Sequence, residues 1–132
     1  MMILDFEERK RQAQAYLDQS ICYFNNFEKF LRTEIPSKAG EMLWGSVATA
    51  LKALVMAKKG EMIQSHATFW GLSRELARET GDQSYYQNYV KANSFHSNFY
   101  ESTLTVEDVR RDSADILQLI TNLHNLTKSE LE

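Results

Sequence analysis

The chain has 132 residues, 43% of them hydrophobic, and its 15 basic and 18 acidic residues leave a net charge of −3. That length suits a single domain, 1–132, with a real core, and the lack of a basic excess excludes a generic polyanion binder. The lone Cys22 excludes an internal disulfide and fits a reducing compartment.

The start, MMILDFEERKRQ, runs from apolar to charged, the reverse of a secretory signal. No apolar run reaches the roughly 18 residues of a membrane span, and the best candidate, Ser46 to Ala57, is interrupted by Lys52. A cytoplasmic protein with no membrane partner is expected.

Helical periodicity dominates, and no segment alternates as a strand would. The first helix is expected from Asp5, a capping residue followed by Glu7 and Glu8, to about Thr33. Its apolar stripe is Ala13, Leu17, Ile21, Phe24, Phe27 and Leu31. Pro36 then breaks the chain.

The second helix spans about Ser37 to Gly60. Trp44, Val47, Leu51, Leu54 and Val55 form its apolar face, and Gly45, Ala48, Ala50, Ala53 and Ala57 keep it slim enough for a close neighbour. Lys58 and Lys59 before Gly60 make a sound C-terminus. Ser65 caps a shorter third helix with Phe69, Trp70, Leu72, Leu76 and Ala77, which Gly81 ends.

The fourth helix is expected from about Ser84 to Ser102. Thr105 with Asp108 forms a capping-box pattern that opens a fifth, carrying Val109, Ile116, Leu119, Ile120, Leu123 and Leu126. The polar tail after Leu126 is expected to fray. Short connections favour antiparallel neighbours. The fold class is therefore all-α: an antiparallel up-and-down helical bundle of four long helices plus one short helix.

Chemistry is concentrated in the fourth helix. On an ideal helix Tyr85, Tyr89 and Ala92 lie within about 40° of His96, and Asn93, Phe99 and Tyr100 within about 60°. His96 is thus central on an apolar face that Phe95 and Val90 widen to about 220°. Such width implies burial on two sides, by the bundle and by a second copy of the chain. Lys91 points about 140° away from His96. A site joining the two needs the lysine arm to wrap round the helix or a second subunit to supply one group.

Read as chemistry, His96 is a general acid or base, Lys91 a cation for developing phosphate charge, and Asn93 and Tyr100 groups that orient the histidine or hold phosphate. Read as structure, His96 is a hydrogen-bonded histidine at a core or dimer interface, which its central position favours. His66, at a helix start, reads as structural or capping, and His124 as surface or core edge.

Three histidines and one cysteine make no metal constellation, and the Glu-x-x-His pairs of di-iron bundles are missing. No metal or cofactor is expected. Trp44 and Trp70 have the spacing of packing residues rather than of a base-stacking platform. Arg9-Lys10-Arg11 follows Glu7 and Glu8 and reads as a solvated face.

Three segments carry a family resemblance. One is Glu41-Met42-Leu43-Trp44-Gly45-Ser46-Val47-Ala48 with Ala50-Leu51-Lys52-Ala53-Leu54. The second is Ser65-His66. The most specific is Phe95-His96-Ser97-Asn98-Phe99-Tyr100-Glu101, followed by the helix start Thr105-Val106-Glu107-Asp108-Val109. Together they resemble the HEPN superfamily, the higher eukaryotes and prokaryotes nucleotide-binding domain. Within it they are most similar to the small proteins tied to archaeal paralogous repeat elements.

The resemblance implies a helical bundle, a homodimer, and an RNA- or nucleotide-directed function, often metal-independent ribonuclease activity of the toxin or defence kind. It also implies an alternative, a non-catalytic helical module pairing with a small nucleotidyltransferase. The HEPN signature is an arginine, four to six residues, then histidine, with a polar residue after the arginine. Here Lys91 and Ala92 occupy the first two positions and His96 the last, so the signature is matched only in part.

Overall fold

The computed structural model describes residues 4–98 and 103–132. They form five α-helices and no strand: α1 (Phe6–Arg32), α2 (Pro36–Lys59), α3 (His66–Thr80), α4 (Ser84–Asn98) and α5 (Val106–Glu130). This is the expected all-α bundle, with α3 and α4 each described over 15 residues.

The ends follow local chemistry. Asp5 accepts from the Glu8 N–H at 2.8 Å, and Thr105 and Asp108 complete the reciprocal capping box. Pro36 at the start of α2 has no N–H to satisfy, which offsets the lack of a side-chain cap at Ile35. Gly60 closes α2 at φ 67°, where a side chain would be strained.

The central element is α2, packed along α1, α5 and α4. Its slim face does what the small residues suggest. A Cβ on Gly45 would lie 2.7 Å from the Tyr23 ring, so only glycine lets α1 approach there. One step along, Ser46 Oγ donates to the Ser20 carbonyl at 2.8 Å and fastens the two backbones. Ala39, Leu43, Val47, Ala50 and Leu51 point the other way into the main core with Tyr89, Phe95, Ile116 and Leu123. Each fully buried large side chain contributes about 1.5–3 kcal/mol.

Antiparallel packing holds for α1 against α2, where Tyr23 meets Gly45 and Arg9 meets Gly60. It holds for α3 against α4, where His66 meets Asn93 and Arg74 meets Tyr86. It also holds for α4 against α5, where Lys91 meets Asp115 and Phe95 and Leu104 share the space over Gly40.

The step from α2 to α3 differs. Trp44 touches His66 near one end, and Lys58 bonds Glu79 near the other, so α3 runs in the same direction as α2. Residues 60–65 must therefore carry the chain back along α2. From Trp44 to Lys59 is about 22 Å of helix, and six extended residues span about 20 Å. This return places the first residue of α3 beside the early turns of α2.

One further expectation needs correction. The end of α5 does not stop at Leu126 but continues to Glu130, because Thr127 is fully buried and Leu131 packs on the Ala13, Met56 and Ala57 cluster. On the apolar face of α4, Tyr85, Tyr89, Ala92 and Phe95 enter the core, Val90 stays exposed, and Phe99 and Tyr100 lie outside the described residues.

Candidate functional site

Glu41 and Trp44 stand one turn apart on α2, and Lys52 two turns further along. The chain return sets His66 at the first position of α3, and α4 runs antiparallel to both, which brings Asn93 and His96 opposite. These residues surround an open cleft of about 320 Å³, lined among others by Tyr23, Glu41, Trp44, Lys52, His66 and His96. A smaller recess of about 200 Å³ continues it past Lys52, Ser65 and His66.

His96 is not sealed in the core: its side chain is 33% exposed and opens on the cleft. His96 Nδ1 lies 3.0 Å from both Glu41 carboxylate oxygens. An ionised carboxylate only accepts, so Nδ1 carries the hydrogen, and in the neutral ring Nε2 keeps its lone pair.

His66 has a parallel arrangement. Its Nε2 meets Asn93 Oδ1 at 3.0 Å, and its Nδ1 bonds no described residue. The two imidazoles stack on each other with centroids 5.4 Å apart and planes 22° apart. The Trp44 indole lies 5.2 Å from each ring, at 33° to His66 and 26° to His96. Phe69 and Tyr89 hold the indole by edge contacts at 5.7 Å. Tyr89 is fully buried, its hydroxyl has no partner among the described residues, and burial pushes its phenol up to about 12.

The four residues singled out on α4 separate. His96 lines the cleft, and Asn93 stands at its rim, where it orients His66 rather than His96. Lys91 points to the α5 side, as its direction on the helix required, and its Nζ bonds Asp115 at 2.6 Å. That carboxylate holds the Lys91 ammonium above its usual value. Tyr100 lies outside the described residues.

The sequence reading missed Glu41, Lys52 and His66. Glu41 and Lys52 lie in quoted motif segments but carried no sign of facing a cleft. The position of His66 depends on the α2–α3 return, which no local periodicity encodes.

His124, the third histidine, lies elsewhere. Its Nε2 is 2.9 Å from Ser20 Oγ, which also reaches the Ser46 carbonyl at 2.7 Å, tying α5 to α1 and α2. Burial, and then the Lys128 ammonium, pull the His124 imidazole below its usual value.

The model of the archaeal PaREP1/PaREP8 family matches residues 15–120. The chain belongs to this family. Every cleft residue named above falls inside the span matched to the PaREP1/PaREP8 model, and His124 falls outside it. No curated protein and no solved structure matches the chain. Among the described residues no group of His, Cys, Asp and Glu has metal-binding geometry, and no helix is long and apolar enough to cross a membrane.

Proposed function

We propose that this chain is a HEPN-like, metal-independent ribonuclease of the toxin or defence kind, acting in the cleft between α2, α3 and α4. The observation that carries the reading is the His96–Glu41 pair opening on that cleft. A carboxylate that holds Nδ1–H fixes the ring and its tautomer and leaves Nε2 to take a proton, the arrangement of an oriented general base. The proton it would take is that of an RNA 2′-hydroxyl. Lys52, in the cleft wall, is the cation for the phosphate, in the place where the resemblance alone would put Lys91. The Trp44 indole forms the floor beneath both imidazoles.

The test is RNA cleavage in the presence of a chelator, with analysis of the ends formed. Wild type leaves a 2′,3′-cyclic phosphate, and His96→Ala loses about 10²–10⁴ in rate with its melting temperature retained. Equal cleavage by both proteins, or cleavage by neither, refutes the reading.

One observation favours a second reading, a non-catalytic module pairing with a small nucleotidyltransferase. Lys91, at the position of the signature arginine, is bound to Asp115 away from His96. Co-purification with such an enzyme, together with no RNA cleavage by wild type, decides for it. Self-association, which the resemblance implies, belongs to either reading and is measured by light scattering at micromolar concentration.

A further inference from the structure

The cleft holds a second imidazole that the first does not need for its own orientation. His66 is exposed, stands on a different helix, and is held by its own partner, Asn93. A histidine that only filled space against Trp44 could lie at any angle. Instead the two rings lie nearly parallel, 5.4 Å apart, over one indole. Each is tied at one nitrogen, and the other nitrogen is free of described partners. Two imidazoles whose centroids lie 5.4 Å apart on one cleft can both serve a single phosphate bound there.

We infer that His66 is the second catalytic residue of the cleft, the general acid that protonates the departing 5′-oxygen, with Asn93 as its positioning residue. This rests on the ribonuclease reading and completes its proton inventory. His96 Nε2 takes the 2′-hydroxyl proton as the 2′-oxygen bonds to phosphorus. The bond from phosphorus to the 5′-oxygen breaks, and the proton on His66 Nδ1 passes to that oxygen. The products are a 2′,3′-cyclic phosphate and a 5′-hydroxyl. His96 ends protonated and His66 neutral, so one proton has moved across the cleft and none is consumed. Exchange with water restores both rings.

The amide of Asn93 suits this task. Its Oδ1 accepts from Nε2–H whether or not Nδ1 is protonated, so the ring keeps its orientation before and after it gives up the proton.

The experiment compares wild type, His66→Ala and His96→Ala on two oligonucleotides. One is ordinary RNA, and the other carries sulfur in place of the bridging 5′-oxygen at a single linkage. A thiolate leaves without a proton and needs no general acid. His66→Ala should lose about 10²–10⁴ in rate on ordinary RNA and return to near the wild-type rate on the sulfur substrate. His96→Ala should be slow on both. The rescue itself shows that His66→Ala is folded.

Wild-type rates for His66→Ala on ordinary RNA overturn the inference, as does equal impairment on both substrates. In either case an active wild type leaves the ribonuclease reading standing. A wild type that cleaves neither substrate overturns both.

Discussion

The histidines of this chain occupy two regions with opposite designs. His124 is wedged between helices, bonded to Ser20, in a lock of hydroxyls and carbonyls that joins α1, α2 and α5. His66 and His96 stand at the mouth of an open cleft, each tied at one nitrogen and without a partner among the described residues at the other. All three make hydrogen bonds of about the same length, so bonding alone does not separate structure from chemistry. What separates them is access: an imidazole lining an open cleft can exchange a proton with a substrate, whereas one bonded between packed helices ties the helices together.

The largest change to this contrast comes from Trp44, which belongs to both designs as core residue and cleft floor. Trp44→Ala should cost about 3–5 kcal/mol of stability, read by denaturant unfolding. It should also abolish cleavage, because both imidazoles lose their backing. A variant as stable as wild type would mean that the indole is not packed as described.

The half-buried His124 gives an intermediate effect, visible as pH dependence. The native state holds His124 below its ordinary value of 6.5, so below that pH the unfolded chain binds a proton that the native chain resists. The contribution of neutral His124 is complete above 6.5 and is lost progressively as pH falls from there toward the lowered native value. His66 and His96 are common to wild type and His124→Gln, so the difference between the two isolates His124. Between about pH 8 and pH 5 wild type should lose more stability than His124→Gln. Parallel curves would show that folding does not hold the His124 imidazole below its ordinary value.

The smallest effect belongs to Lys91. Its pair with Asp115 is exposed, and Lys91→Ala should change stability by less than about 1 kcal/mol. With the cleft acting inside one chain, cleavage should be unchanged. A large loss of cleavage would instead mean that Lys91 of a second copy reaches the cleft, and would move the site from one chain to a dimer.

Much of this was legible in the residues. Asp5, Pro36, Gly60, Gly81 and the Thr105–Asp108 pair mark helix ends because caps and turns are local chemistry, decided within a few residues. The small residues of α2 foretold a close neighbour, and Gly45 against Tyr23 is that contact. The direction of Lys91 away from His96 followed from helix geometry and agrees with its place beside α5.

What failed had nonlocal causes. The tail after Leu126 is polar, yet Thr127 and Leu131 are pinned by residues far away in sequence. Short connections suggested antiparallel neighbours throughout, yet α3 runs in the same direction as α2 because residues 60–65 return along it.

The sequence alone determined five helices, most of their ends, and His96 as the residue to watch. These depend on periodicity and capping, which act over a few residues. Only the tertiary structure decided that His96 opens on a cleft and is oriented by Glu41, 55 residues away. It alone brought His66 alongside. That pairing depends on an extended return along α2 and on two helices running in the same direction, and no spacing within a single helix carries that information.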